Sequence, residues 1–348
     1  MSTSITDVRG ALTMISPMPF NAEAPPAALA GEVTPTPLHY VRSNFPFPAH
    51  DGRLTLGGAA RNPMILTLDD LRAMPASERT VTLECAGNGR LGQTPLPEGE
   101  PWGRFAVSTA RWRGVPLHQI LSQAAPSPNG LEVTFEGADH GRYGHHEDIA
   151  FVRSLPLSQA SDPAADILIA YDMNGEPLST EHGAPFRLIV PGWYGMASVK
   201  WLKRIDVITD RYEGEFQTRH YMYHHDGSSE PVTRIHVRAR ISDPAPRSAI
   251  QAGIYRVRGK AWSGTGPVTS VDVSFTGEGE WNPAELDPPR GPHHWQDWSI
   301  EWRSATAGRH TLRARATDAA GNTQPEVPPW NRLGYGNNAV EVQYVDVY

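Results

Sequence analysis

The stretches IYRVRGKAWSG, VTSVDVSFTGEGEW, WSIEW, HTLRARATDAAG and AVEVQYVDV, all beyond residue 237, alternate apolar and polar side chains and are separated by Gly, Asn and Pro clusters. A period of two puts every second side chain on the same face of a strand, so each stretch has one face to bury and one to solvate. Val271, Val273 and Phe275 share one such face, and Leu312, Ala314 and Ala316 another. Short strands of this kind hide their apolar faces by packing two antiparallel sheets together. The pattern therefore predicts a β-sandwich of roughly 100 residues over 237–348.

The preceding residues, 1–236, follow a different grammar. Pro25, Pro26, Pro35 and Pro37 predict an extended N-terminal arm rather than a helix. In GRLTLGGAARNPMILTLDDLRAM a strand and turn lead to a short helix opened by Thr67, with Asp70 completing a capping box. In PLHQILSQA, Leu117, Ile120 and Leu121 form one helical stripe. DILIAYDMNGEPL predicts a hairpin on Asn174-Gly175, and FRLIVPG and SVKWLKRIDVI predict buried strands. The fold class expected is α+β: a mixed α/β domain over 1–236, then the sandwich over 237–348.

A formal charge of -7 argues against a general nucleic-acid binder, which needs a basic surface to displace counterions. No segment is long and apolar enough to span a bilayer, and the first thirty residues lack the pattern of an export signal. The sequence thus predicts a cytoplasmic protein with no membrane partner, or a periplasmic one if an export signal has been removed. Lysine occurs only at Lys200, Lys203 and Lys260, so arginine supplies most of the positive charge.

Cys85, the single cysteine, lies in VTLECAGNGR, where an apolar run enters Ala86, Gly87, Asn88 and Gly89. Those small residues suit a tight turn and close approach to a bulky group. The thiol is expected at a strand end, facing a cleft, with Arg90 nearby to favour the thiolate. Three roles compete for it: nucleophile, redox sensor, or ligand to a soft or high-valent metal. The pairs His145-His146, His224-His225 and His293-His294 are expected on surface loops rather than as metal ligands, since neighbours on a strand point to opposite faces. A metal held by one protein thiolate takes its other ligands from an organic cofactor, which points to a dithiolene.

Beyond these local readings, PFNAE, YVRSNFPFP, ECAGNGR, PWGRFAVSTARWRGVPL, AYDMNGEPL, HGAPFRLIVPGWYGMASVKWL, FQTRHY, GKAWSG, VDVSF and WNRLGYGNNA run in order along nearly the whole chain. This series resembles the sulfite oxidase family of molybdopterin enzymes. The resemblance implies a molybdopterin-binding domain followed by an immunoglobulin-like dimerisation domain. It implies that Cys85 is the one protein ligand to molybdenum. Arg42 is similar to the arginine close to both cofactor and substrate, Arg90 to an arginine of the anion pocket, Trp102 to the pocket tryptophan, and Tyr221 to the tyrosine beside the metal oxygens. His182, Arg187, Ser198 and Lys200 match positions that hold the pterin and its phosphate, and Asp139 the pterin-contacting acid. Asn44, where a histidine is common, counts with the cofactor-binding positions.

The activity so implied is oxidation of sulfite to sulfate by oxygen-atom transfer at Mo(VI), in a homodimer. A nitrate or sulfoxide reductase on the same fold, or a binding protein without cofactor, are the alternatives. One cysteine excludes a CxxCH haem attachment and an all-cysteine cluster within these residues, so an external acceptor, a cytochrome or oxygen, is expected to take the electrons. Two departures bear on the substrate. Gly89 replaces the first of two arginines common after CAGN, and Leu333 falls where the third pocket arginine usually lies, with Arg332 beside it as a substitute.

Overall fold

The computed structural model describes residues 11–348 except 226, 278, 305 and 329. The chain folds as two β-rich halves with few and short helices. The N-terminal arm is more than an extended strap. Thr13–Pro17 and Phe20–Glu23 pair as an antiparallel hairpin, which bridges to Val41 through Ala22. Pro26–Leu29 and Thr36–Leu38 then make single 3-10 turns, and Ala22, Ala24, Ala28 and Leu29 are buried. The prolines enter these turns at their first positions, where a missing N–H costs nothing.

Two five-stranded sheets make the first half. One runs Glu176–Pro177, Leu168–Met173, Val107–Pro116, Ser77–Glu84, with Arg187–Ile189 also on Leu168–Met173. The other runs Met64–Thr67, Arg53–Gly58, Leu202–Ile208, Glu132–Tyr143, His146–Pro156, and Leu202–Ile208 is parallel to Arg53–Gly58. Helix Leu68–Ala73 opens on the Thr67–Asp70 capping box. Helix Leu117–Ala124 buries Leu117, Ile120, Leu121 and Ala124, so that its stripe closes the core. Asn174 (φ 54°) and Gly175 (φ 88°) are both left-handed, as a two-residue hairpin turn of this hand requires.

One expected strand is shorter than its apolar pattern suggested. SVKWLKRIDVI enters the sheet only at Leu202, because Trp201 takes φ 48° and breaks the extended run. Ser198–Trp201 bend instead, with Ser198, Val199 and Trp201 buried, and this segment carries Lys200.

The second half contains a four-stranded antiparallel sheet, Arg238–Asp243, Gly253–Trp262, Gln296–Ser304, Glu285–Leu286. It packs on a five-stranded sheet, Ala249–Ile250, Glu341–Val347, Gly308–Asp318, Val268–Ser274, Asn282–Pro283. Their shared core begins at Val237 and holds Val257, Val271, Val273, Trp298, Leu312, Ala314, Ala316 and Val345. Phe275, on the same face as Val271 and Val273, packs against it while partly buried. The fold is α+β with a sandwich at the C-terminal end. No helix among the described residues is long and apolar enough to cross a membrane.

The histidine pairs do not all lie on surface loops. His294 is buried, with Nδ1 against the Trp295 carbonyl, while His146 and His224 sit on strands.

Between the strands Gly308–Asp318 and Glu341–Val347 the chain leaves the sandwich and returns to the first half. Leu333 and Tyr335 join the core of the first half there, as do Trp262 and Trp295.

Candidate active site

Strand Ser77–Glu84 delivers Cys85 to a turn in which the Asn88 amide donates to the Cys85 carbonyl (2.9 Å) and the Arg90 amide to Gly87 (3.1 Å). The turn is built on space that only glycine leaves. A Cβ on Gly87 would lie 2.5 Å from Arg90 Nη2. Gly89 has φ 83° and would bring a Cβ to 3.2 Å from Asn337 Nδ2, so an arginine there is strained on backbone grounds alone.

Cys85 is 8% exposed and lies where two cavities meet. The first is lined by Arg42, Asn44, Cys85, Asp139, His182, Arg187, Ser198, Lys200 and Tyr221. The second is lined by Arg42, Cys85, Arg90, Trp102, Tyr221 and Tyr335, with Glu98 and Glu100 toward its rim. All of the residues expected at the site therefore gather around Cys85, and Arg42, Cys85 and Tyr221 belong to both sides.

Burial pushes the Cys85 thiol up; Arg42, the Gly87 N–H and Arg90 pull it down without overturning that. Arg90 pulls in the expected direction, toward the thiolate, but does not decide the outcome. Arg42 acts on the sulfur more strongly than Arg90, and burial outweighs both.

In the first cavity, Arg42 donates from Nη1 to the Ser43 carbonyl and from Nη2 to Asn44 Oδ1 (2.6 Å). Asn44 thus orients Arg42. Arg187 donates to the carbonyls of His182 (3.0 Å) and Ser198 (2.8 Å), which ties the two walls together, and burial brings it down to about 10. Lys200 Nζ donates to Ser43 Oγ (2.9 Å) and the Glu181 carbonyl (2.8 Å) and lies 4.1 Å from the centre of the Trp201 ring. Its pKa falls well below the ordinary lysine value through burial first and Arg187 second. Burial raises Asp139 to about 7 despite the opposing pull of Lys200.

Several buried polar atoms here have no partner among the described residues: Asp139 Oδ1, Arg187 Nε and His39 Nε2. Such orphans are costly unless something else fills their valences. Together with Arg42, Arg187 and Lys200 they form a donor and acceptor set suited to a polar heterocycle carrying a phosphate. The residues fit a molybdopterin, with Cys85 as the soft donor at the far end.

In the second cavity Arg90 is tightly held. Its Nε and Nη2 donate to the Leu333 carbonyl (3.0 and 2.8 Å) and its Nη1 to the Glu100 carbonyl (2.5 Å). Arg332 is no substitute for the missing arginine. Its Nη1 pairs with Glu98 Oε2 at 2.6 Å on the half-exposed rim. Tyr221 adopts φ 57°, uncommon for a bulky residue, and stacks on Tyr335 with ring centres 5.2 Å apart.

Glu84, just before Cys85, accepts from Asn88 Nδ2 (2.8 Å) and from Trp262 Nε1 (2.8 Å) and faces Arg238 at 3.4 Å. Trp262 and Arg238 belong to the second half. So does Asn337, whose side chain donates to the Gly89 carbonyl (2.7 Å), and Gly336, whose amide donates to Ala86 (2.8 Å).

The sequence reading passed over His39, Ser43, Tyr143 and Tyr335, all of which line these cavities. His39 stands just before the YVRSN motif and was within reach. Among the described residues no cluster of three or more His, Cys, Asp or Glu side chains could hold a metal, which leaves Cys85 as the donor of interest.

The comparisons with known proteins agree with this geometry. Residues 44–216 match the oxidoreductase molybdopterin binding domain, and residues 229–344 the Mo-co oxidoreductase dimerisation domain. Human mitochondrial sulfite oxidase is 38% identical over 94% of this chain and 64% of its own length. The chain thus spans about two thirds of that relative. An inducible NADH nitrate reductase of Glycine max is 35% identical over 92% of this chain but only 40% of its own. The crystal structure of the sulfane dehydrogenase SoxCD from Paracoccus pantotrophus superposes with a TM-score of 0.85 at 27% identity, covering 99% of this chain and 90% of that one. With both domain models in order and such likeness over nearly its full length, the chain belongs to the sulfite oxidase family of molybdopterin-dependent oxidoreductases.

Proposed function

We propose that the protein oxidises sulfite to sulfate. The observation that carries this reading is the meeting of two cavities at Cys85, one cationic and rich in orphaned polar atoms, the other bounded by Arg42, Arg90, Trp102 and Tyr221. A molybdopterin held in the first would supply the two-electron oxygen-atom-transfer chemistry. Cys85 gives the metal its protein thiolate. Lys200, Arg187 and Ser198 hold the phosphate, while Asp139 and His182 contact the pterin.

On the substrate side, Arg42 and Arg90 offer guanidinium donors to a small oxyanion, a geometry suited to its oxygens. Trp102, 1% exposed, walls the cavity and limits water, which strengthens those contacts. Tyr221 stands at the junction, where it can orient the oxyanion toward the metal side. Electrons pass to an external acceptor, a cytochrome or oxygen. The boundary near residue 237 and a homodimer through 237–348 belong to the same reading, and light scattering at micromolar concentration should show twice the mass of the 38.2 kDa chain.

The likeness to nitrate reductases makes nitrate the second candidate. Elemental analysis for molybdenum, then steady-state assays with sulfite and with nitrate on the same preparation, test the proposal. Sulfite turnover by a molybdenum-loaded protein is expected. Absence of the metal, or nitrate turnover in place of sulfite turnover, refutes it.

A further inference from the structure

We infer that Tyr335 is a substrate-contacting residue, a neutral hydrogen-bond donor set beside Arg90 to bind one oxygen of the oxyanion. The inference rests on the sulfite reading for its reaction, though not for its binding geometry.

Tyr335 is held at every point except its hydroxyl. Its amide donates to Asn331 Oδ1 and its carbonyl accepts from Asn331 Nδ2, both at 2.9 Å. The next amide, of Gly336, donates to the Ala86 carbonyl one residue beyond Cys85. The ring stacks on Tyr221 at an interplanar angle of 24°, and the Arg90 guanidinium carbon lies 5.6 Å from the ring centre. A side chain clamped by backbone and ring contacts has paid its ordering entropy before substrate arrives, which favours tight and specific contact.

The phenol itself makes no hydrogen bond within the described protein, although the residue is 9% exposed and lines the second cavity. Burial, with Tyr221 adding to it, drives the phenol well above the usual tyrosine range, so the group stays a proton donor at any working pH. A donor is needed there. Arg90 has five N–H groups, and three are spent on the carbonyls of Leu333 and Glu100. Two remain, beside those of Arg42 not held by Ser43 and Asn44, for an anion with three or four oxygens. Arg332, the adjacent cation, is paired with Glu98 at the rim.

The alternative is that Tyr335 only props Tyr221. Tyr335→Phe separates the two roles, since it keeps the ring and the stack and removes only the hydroxyl. The molybdenum-loaded enzyme is titrated with sulfate by calorimetry, and KM and kcat for sulfite are measured beside it. Loss of a hydrogen bond to a charged oxygen weakens binding by about ten- to a hundredfold. Sulfate Kd and sulfite KM should both rise by that factor, while kcat, metal content and melting temperature hold. Tyr335→His, which keeps a ring and restores an N–H donor, should recover part of the sulfate affinity. Unchanged sulfate affinity in Tyr335→Phe overturns the inference, as does loss of metal from that variant or failure of sulfate to bind the unaltered enzyme. If sulfate binding weakens as expected but the enzyme does not oxidise sulfite, the contact stands and the reaction assigned above falls.

Discussion

The two cavities that share Cys85 are built differently. The lining of the first comes wholly from residues 39–221, within the first half of the chain. The second is completed by Leu333 and Tyr335, which reach it from an excursion between two strands of the sandwich. The polar groups differ in the same sense. Asp139, Arg187 and His39 keep unpartnered atoms in the first cavity, whereas Arg90 in the second spends three donors on main-chain carbonyls. Unfilled valences suit a cofactor that enters once and stays. A pre-tied arginine suits a substrate that comes and goes, because little order has to be created at each encounter.

The largest expected effect falls where the cavities join. Cys85→Ser replaces a soft thiolate by a hard, weakly acidic hydroxyl, and turnover should fall by a factor on the order of a thousand or more with the melting temperature little changed. Substantial sulfite oxidation by a folded Cys85→Ser protein would sink the assignment.

Glu84→Gln strikes the support rather than the donor. It removes a buried charge from opposite Arg238, with both side chains at most 3% exposed, so unfolding should become easier by about 3 kcal/mol in denaturant titration. Equal stability of the two proteins would mean that the sandwich does not brace the Cys85 turn.

Arg90→Gln acts on the second cavity alone. A charge-assisted contact is lost, and kcat/KM for sulfite should drop about ten- to a hundredfold with molybdenum content intact. A fall in metal content instead would blur the distinction between the cavities.

The smallest effect belongs to His39 in the first. Burial lowers it from 6.5 to about 3, so the unfolded chain takes up a proton that the folded one refuses. The stability this contributes is present above pH 6.5 and is lost as pH falls toward 3, by about 1.4 kcal/mol per unit. Denaturant titrations at pH 7 and pH 5 should show a shallower loss in His39→Gln than in the parent protein. Identical slopes would contradict a neutral buried imidazole.

How much of this was legible beforehand depended on distance along the chain. The Thr67–Asp70 box, the Leu117–Ile120–Leu121 stripe and the shared face of Val271 and Val273 are local patterns, and periodicity exposes them. Ser198–Trp201 misled because an apolar alternation does not reveal a left-handed Trp201. Motif order rather than spacing marks the residues that line the two cavities, since Arg42 and Lys200 have nothing in their immediate surroundings to mark them. The bond from Arg90 to the Leu333 carbonyl joins residues 243 positions apart and uses a main-chain atom that every residue type possesses. No side-chain pattern signals such a contact.

The excursion that carries Leu333 and Tyr335 makes the sandwich a carrier of chemistry as well as a scaffold. A sandwich grafted from a relative would bring its own wall for the second cavity, while the lining of the first would stay the host's so long as the graft keeps the contacts of Arg238, Trp262 and Asn337 with the Cys85 turn. Substrate preference in such chimaeras should therefore travel with the C-terminal half, and cofactor retention with the N-terminal half.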